Sequence, residues 1–126
     1  MLINDPKTVA ELAAIYPEYE TALVTNDVET MQRLFWHSPY VVRFGATENL
    51  HGIDEIAAFR ASRSPVNLAR TITRLEITTF GTEFGCVHLE FEREREGKVV
   101  RGRQSQSWVR LPEGWRVVAA HVSMLA

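Results

Sequence analysis

From Arg70 to Met124 the chain reads as four strands separated only by turn residues. Arg70–Thr79 (RTITRLEITT) is rich in threonine and isoleucine, which suit a pleated surface. Gly81 marks a turn, Phe84–Arg95 is a second strand, and Glu96-Gly97 makes a tight turn. Lys98–Leu111 is a third, long strand. Pro112-Glu113-Gly114 turns the chain again into Trp115–Met124. Strands joined by such short turns must be successive antiparallel neighbours. The sheet they form needs cover on one face, so the remaining residues must supply it.

The first half supplies helices. Asp5-Pro6 pairs an N-cap residue with proline at the first helical position. Val9, Leu12, Ala13, Tyr16, Tyr19, Ala22 and Leu23 follow at helical spacing, which predicts a helix from Pro6 to Val24 with a kink near Pro17. Asn26, with Glu29 three residues on, reads as a capping box for a short second helix through Val28, Met31, Leu34 and Phe35. A short strand is expected at Tyr40–Phe44. Gly52 then precedes a helix over Ile53–Ser62, which Ser64-Pro65 ends. The expected class is α+β: three N-terminal helices packed on a curved antiparallel sheet, in one domain over residues 1–126. A long twisted sheet wrapped over helices leaves a cone-shaped cavity, a natural pocket.

Composition removes several functions. The net charge of −2, with both signs interspersed, gives no basic footprint for nucleic acid. No apolar run is long enough for a membrane span, and MLINDPKTVAEL has neither the basic nor the apolar region of a signal peptide. The single cysteine, Cys86, excludes an internal disulfide and fits a reducing cytoplasm. It reads as a small buried hydrophobe or, less simply, as a catalytic thiol. His37, His51, His88 and His121 are scattered without metal-ligand spacing, and no phosphate-binding glycine loop or nucleophile elbow is present. These absences argue against a metal site, nucleotide binding and serine-hydrolase chemistry.

The stretch LFWHSPYVVRFGATENLHG, Leu34–Gly52, carries the most pointed polar signal. Val41 and Arg43 share one parity of its short strand, and Val42 and Phe44 the other. If one face is core, the other places a guanidinium at the strand's end. Arg43 is then either a surface arginine or a planar fork for a carboxylate, and Arg70 has the same two readings. Tyr19 is either a core tyrosine with its hydroxyl at the rim or a pocket proton donor. On Lys98–Leu111, Arg101, Arg103, Ser105 and Ser107 alternate with Gln104, Gln106 and Trp108. The glutamines are either solvated or form a polar patch inside an enclosed face. His121 shares a parity with Trp115 and Val117 and is a core or a pocket histidine. Glu90, Glu92, Glu94 and Glu96 alternate along one strand face. That pattern favours a solvated or oligomer-facing edge, because buried like charges are costly.

Helix, helix, short strand, helix and four long strands ending in WRVVAAHVS resemble the SnoaL-like/NTF2-like superfamily, whose fold is an α+β cone. Within it, ALVTNDVETMQRLFWHSPYVVRFGATENLHG and GRQSQSWVRLPEGWRVVAAHVSM are similar to the AtzH-like family. FGATENL and GRQSQSW are the specific parts, and the resemblance runs from about Tyr16 to the end. That family includes 1,3-dicarboxyurea decarboxylase of cyanuric acid catabolism, and another branch accompanies oxalurate catabolism. The resemblance implies a cofactor-free decarboxylase with a helix 1 tyrosine and a first-strand arginine, matching Tyr19 and Arg43; Tyr16 is a nearby competitor. Parity and fold analogy add Asn49, Arg70, Gln104, Gln106 and His121 as substrate-binding residues. The expected ligand is a small anionic ureido acid. The alternatives are an oxalurate-catabolism role or a non-catalytic accessory to a partner amidase. A homodimer, or a tetramer built from dimers, is expected to cover the outer face of the sheet.

Overall fold

The Asp5 carboxylate accepts from the Thr8 amide at 3.2 Å and starts α1, Pro6–Val24, which carries Pro17 inside it. The next cap is Asp27, whose carboxylate accepts from the Thr30 amide, and not the expected Asn26. Asn26 instead takes a positive φ of 54°, a left-handed turn that asparagine tolerates, and hands the capping position to its neighbour. Helix α2 then spans Val28–Leu34. A computed structural model of the chain describes all residues, Met1–Ala126.

Strands β1 (Val42–Phe44) and β2 (Asn49–His51) form a short hairpin, closed by the Gly45 amide donating to the Glu48 carbonyl at 2.9 Å. At three residues, β2 is too short to show an alternation, and the sequence gives no sign of it. Helix α3, Ile53–Ser62, follows this hairpin, so the three helices do not all precede the sheet. Strands β3 (Thr71–Phe80), β4 (Phe84–Arg95), β5 (Lys98–Leu111) and β6 (Gly114–Met124) are the expected antiparallel succession. The order across the curved sheet is β2-β1-β6-β5-β4-β3, and β6 runs parallel to β1. The sheet is therefore mixed, because the chain enters it twice with α3 between.

The inner face holds the core. Leu12, Tyr16, Tyr19 and Leu23 form the buried stripe of α1, facing Val87, Leu89, Phe91 and Trp108 of the sheet. Arg43 lies on this inner face with Val41, not opposite the core as the strand's parity first suggests. One irregularity changes which side chains face inward. Trp108 pairs with Val117, but Ser107 pairs with Ala119, so Val118 is an extra residue in β6. Such a bulge reverses the parity of everything after it. Trp115 and Val117 point inward, then Ala120 does, and His121 is turned to the outer face. Cys86 is also on the outer parity, half-buried beside Thr78 and Ser107, outside the core.

Candidate functional site

The core does not fill the whole cone. A cavity of about 270 Å³ remains between α1, the end of α3, the β1–β2 loop and the inner sheet face. This is near the low end for ligand pockets and suits a small molecule. Four of the seven predicted site residues line it: Tyr19 from α1, Arg43 from β1, Arg70 just before β3 and Gln104 from β5. Gln106 sits one pair deeper, in the same row across the sheet as Arg43 and Ala120. It is buried, and its Oε1 accepts from Trp108 Nε1 at 3.0 Å. Its Nε2 is buried without a partner. Asn49 and His121 lie outside the cavity. Asn49 is exposed beside Phe44 on the outer parity of the hairpin, and His121 meets the Phe44 ring edge-on at 5.9 Å.

One wall is a closed hydrogen-bond network. Arg70 donates from Nε and Nη2 to the two Glu20 oxygens at 2.8 and 2.7 Å, and from Nη2 to Gln104 Oε1 at 3.0 Å. Tyr16 donates to Glu20 at 2.9 Å and accepts from Gln104 Nε2 at 2.9 Å. Arg70 also lies 4.5 Å over the Phe91 ring. Burial pushes the Tyr16 phenol far above its usual range, and the Glu20 charge adds to this, so Tyr16 stays protonated. Burial would raise the Glu20 pKa, but hydrogen bonds and charge from Arg70 overcome it and hold the carboxyl below its usual range. Tyr16 thus serves the wall, and Tyr19 is the tyrosine at the cavity.

Arg43 is built differently. Its Nη1 donates to Glu48 at 2.8 Å, and its guanidinium lies 5.2 Å from the Phe59 ring centre. Gly45 makes this pair feasible. A Cβ there would collide with the Glu48 carboxylate, so only glycine lets Glu48 fold back onto Arg43. The FGATENL loop, through Glu48, therefore occupies one edge of the Arg43 guanidinium.

Arg63, Arg93 and Arg95 also line the cavity, with no carboxylate in ion-pair range of any of them. Beneath the cavity Arg60 is almost wholly buried, 4.1 Å from the Phe35 ring centre, with Nη1 donating to Gln32 at 3.2 Å. Burial pushes its pKa down to about 10; Tyr19 alongside opposes the shift, and Arg43 and Arg63 add to it. Desolvation likewise lowers Arg63 and Arg93, with Arg43 adding to the first and Arg70 to the second. Tyr19 sits within electrostatic reach of Arg60, Arg63 and Arg70.

Sequence reasoning missed these added arginines and both carboxylates. The signal for Arg93 and Arg95 was present. They share the parity of Val87, Leu89 and Phe91, opposite the glutamates that drew attention to the other face. Arg60 follows Ile56 by four residues and so shares its buried helix face.

The AtzH-like family model matches residues 1–126. The chain belongs to the AtzH-like family. Two solved structures are similar to the chain over nearly full length. A protein with a cystatin-like fold from Burkholderia xenovorans is 47% identical, with a TM-score of 0.92, covering 100% of this chain and 98% of that one. A DUF3225-family protein of unknown function from Pectobacterium atrosepticum is 45% identical, with a TM-score of 0.93, covering 98% and 95%. An NTF2-like superfamily protein from Salmonella enterica shares the fold at 23% identity and a TM-score of 0.76, over 95% of this chain and 92% of that one. No curated protein matches the chain. AtzH-like membership and an NTF2-like cone support a small-molecule-binding or catalytic role, and no helix is long and apolar enough to cross a membrane.

Proposed function

We propose that this AtzH-like protein is a cofactor-independent decarboxylase of a small ureido dicarboxylate, converting 1,3-dicarboxyurea to allophanate and CO2. The observation that carries the reading is a cavity lined by five arginines, only two of them in ion pairs, with the Tyr19 side chain on its wall. Such a surplus of cations selects a small anion over a steroid-like or polyketide ligand.

The chemistry asks little of the protein. An N-carboxylate loses CO2 when its C–N bond breaks and the bond's electron pair stays on nitrogen, which takes up a proton. Arg43 pairs with the carboxylate that leaves and fixes its plane. Tyr19 donates the proton to the departing nitrogen and regains one from solvent. The Arg70–Glu20–Gln104 wall holds the cavity's shape, and its donors are largely committed to one another. Positioned acid catalysis contributes about 10²–10⁴-fold, enough for a labile carbamate.

Carbon-13 spectroscopy of labelled 1,3-dicarboxyurea tests this. The reading requires protein-dependent appearance of allophanate together with CO2 or bicarbonate. Saturable binding of the ureido acid without conversion would replace it with a non-catalytic role beside an amidase. Conversion or binding of oxalurate alone would assign the protein to the oxalurate branch.

A further inference from the structure

Arg63 and Arg93 have no role in the reaction as described. Arg63 follows the last turn of α3, and Arg93 is the first arginine after Phe91 on the inner parity of β4. Both line the cavity. Each has its Nε buried without a hydrogen-bond partner and neither forms an ion pair; Glu48 and Glu20 act on Arg63 and Arg93 only through longer-range charge. The polar-atom contact of Arg63 is Nη2 to the Met31 sulfur at 3.8 Å, and Arg93 leans 5.2 Å from the Phe91 ring centre. The two cations repel each other, and Arg63 also feels Arg43. Clustered, half-buried like charges with unmet donors weaken a fold unless something anionic sits among them. Arg43 and Arg70, by contrast, each hold a carboxylate already.

We infer that Arg63 and Arg93 form a second anion seat, so that the cavity takes a dianion with a carboxylate at each end in preference to a monoanion. One carboxylate meets Arg43 beside Tyr19, and the other is gripped by the Arg63–Arg93 pair. This rests on the cavity being the substrate site, and it deepens that reading by making charge number the basis of selection. A ureido dicarboxylate satisfies both seats. A ureido monocarboxylate such as oxalurate leaves one pair of guanidinium groups unmet.

Calorimetric titration with two stable probes tests the seat without any turnover. Glutarate is a dianion with the same five-atom chain as 1,3-dicarboxyurea. Glutaramate replaces one of its carboxylates by a carboxamide. The wild-type protein is expected to favour glutarate by roughly tenfold or more, about 1.4 kcal/mol. Arg63→Gln and Arg93→Gln should each cut that preference several-fold, and the double variant should abolish it. Glutaramate, which can fill only one seat at a time, should lose less affinity than glutarate in each variant, because the Arg43 seat is intact. Circular dichroism and melting checks the folding of each variant. If one fails to fold, the other single variant and the wild-type preference decide. Equal affinity for the two probes, uptake of neither, or a preference surviving in the folded variants would overturn the seat. Dianion preference without CO2 release would keep the seat and discard the decarboxylase. Turnover of dicarboxyurea without dianion preference would do the reverse.

Discussion

Glu20 and Arg70 meet through two short hydrogen bonds in a wall where the Arg70 side chain is only 1% exposed. Replacing Glu20 by glutamine leaves a buried guanidinium without its counter-charge, and such losses cost about 3–5 kcal/mol. Glu20→Gln should therefore lower unfolding stability by about 3 kcal/mol at neutral pH, measured by urea denaturation. The pH dependence has a defined sign. Glu20 is held below its usual range in the fold, so its contribution is complete above the unfolded carboxyl value of about 4.3 and is lost as pH falls through the lower folded value. Wild-type stability should fall across that acid window, and Glu20→Gln should show a flatter curve there. Parallel curves would separate Glu20 from the acid limb. At Arg43 the effect runs the other way. Glu48 occupies one edge of the guanidinium and competes with any anion, so Glu48→Gln should tighten glutaramate binding a few-fold in the same titration.

Strand β5 shows how a single glycine shapes the site. A Cβ on Gly102 would collide with the Phe91 ring and crowd Met124, and Phe91 is the ring that supports Arg70 and Arg93. Gly102→Ala should cost about 1–3 kcal/mol by overpacking and weaken glutarate binding as the ring shifts, read by thermal melting and titration. The strands themselves were legible because alternation is a strict period. Gln104, Gln106 and Trp108 face inward and their neighbours outward, as parity requires. His121 defeated the same logic because the extra residue Val118 reverses the strand, and a bulge leaves no compositional mark in WRVVAAHVS. Asn49 lies outside the cavity because its local hairpin partner Phe44 fixes its face, and a three-residue β2 offers no alternation from which to read that. The arginines that enlarge the site are spread over α3 and β4. Their convergence is a property of the fold, and Tyr19 and Arg43, which line the same cavity, were singled out through family resemblance more than through residue pattern.

Across the whole molecule, helices cover the inner face while the outer face of the sheet presents Arg74, Glu76, His88, Glu90, Arg103 and Ser105. We propose that a second copy packs against this side, and sedimentation velocity should then give about twice the 14.4 kDa chain mass. A species of single-chain mass at micromolar concentration would contradict it. In the inner cavity Tyr19 and Arg43 line the wall together with Arg63, Arg93 and Arg95, which form no ion pair, and the proposed decarboxylation is placed there. Its most direct test is the initial rate of CO2 release from freshly generated 1,3-dicarboxyurea by wild type, Tyr19→Phe and Arg43→Ala. Release by the wild type, reduced by about 10² or more in each folded variant, is the predicted result. Wild-type release at the uncatalysed rate, or undiminished release by both variants, would contradict the account.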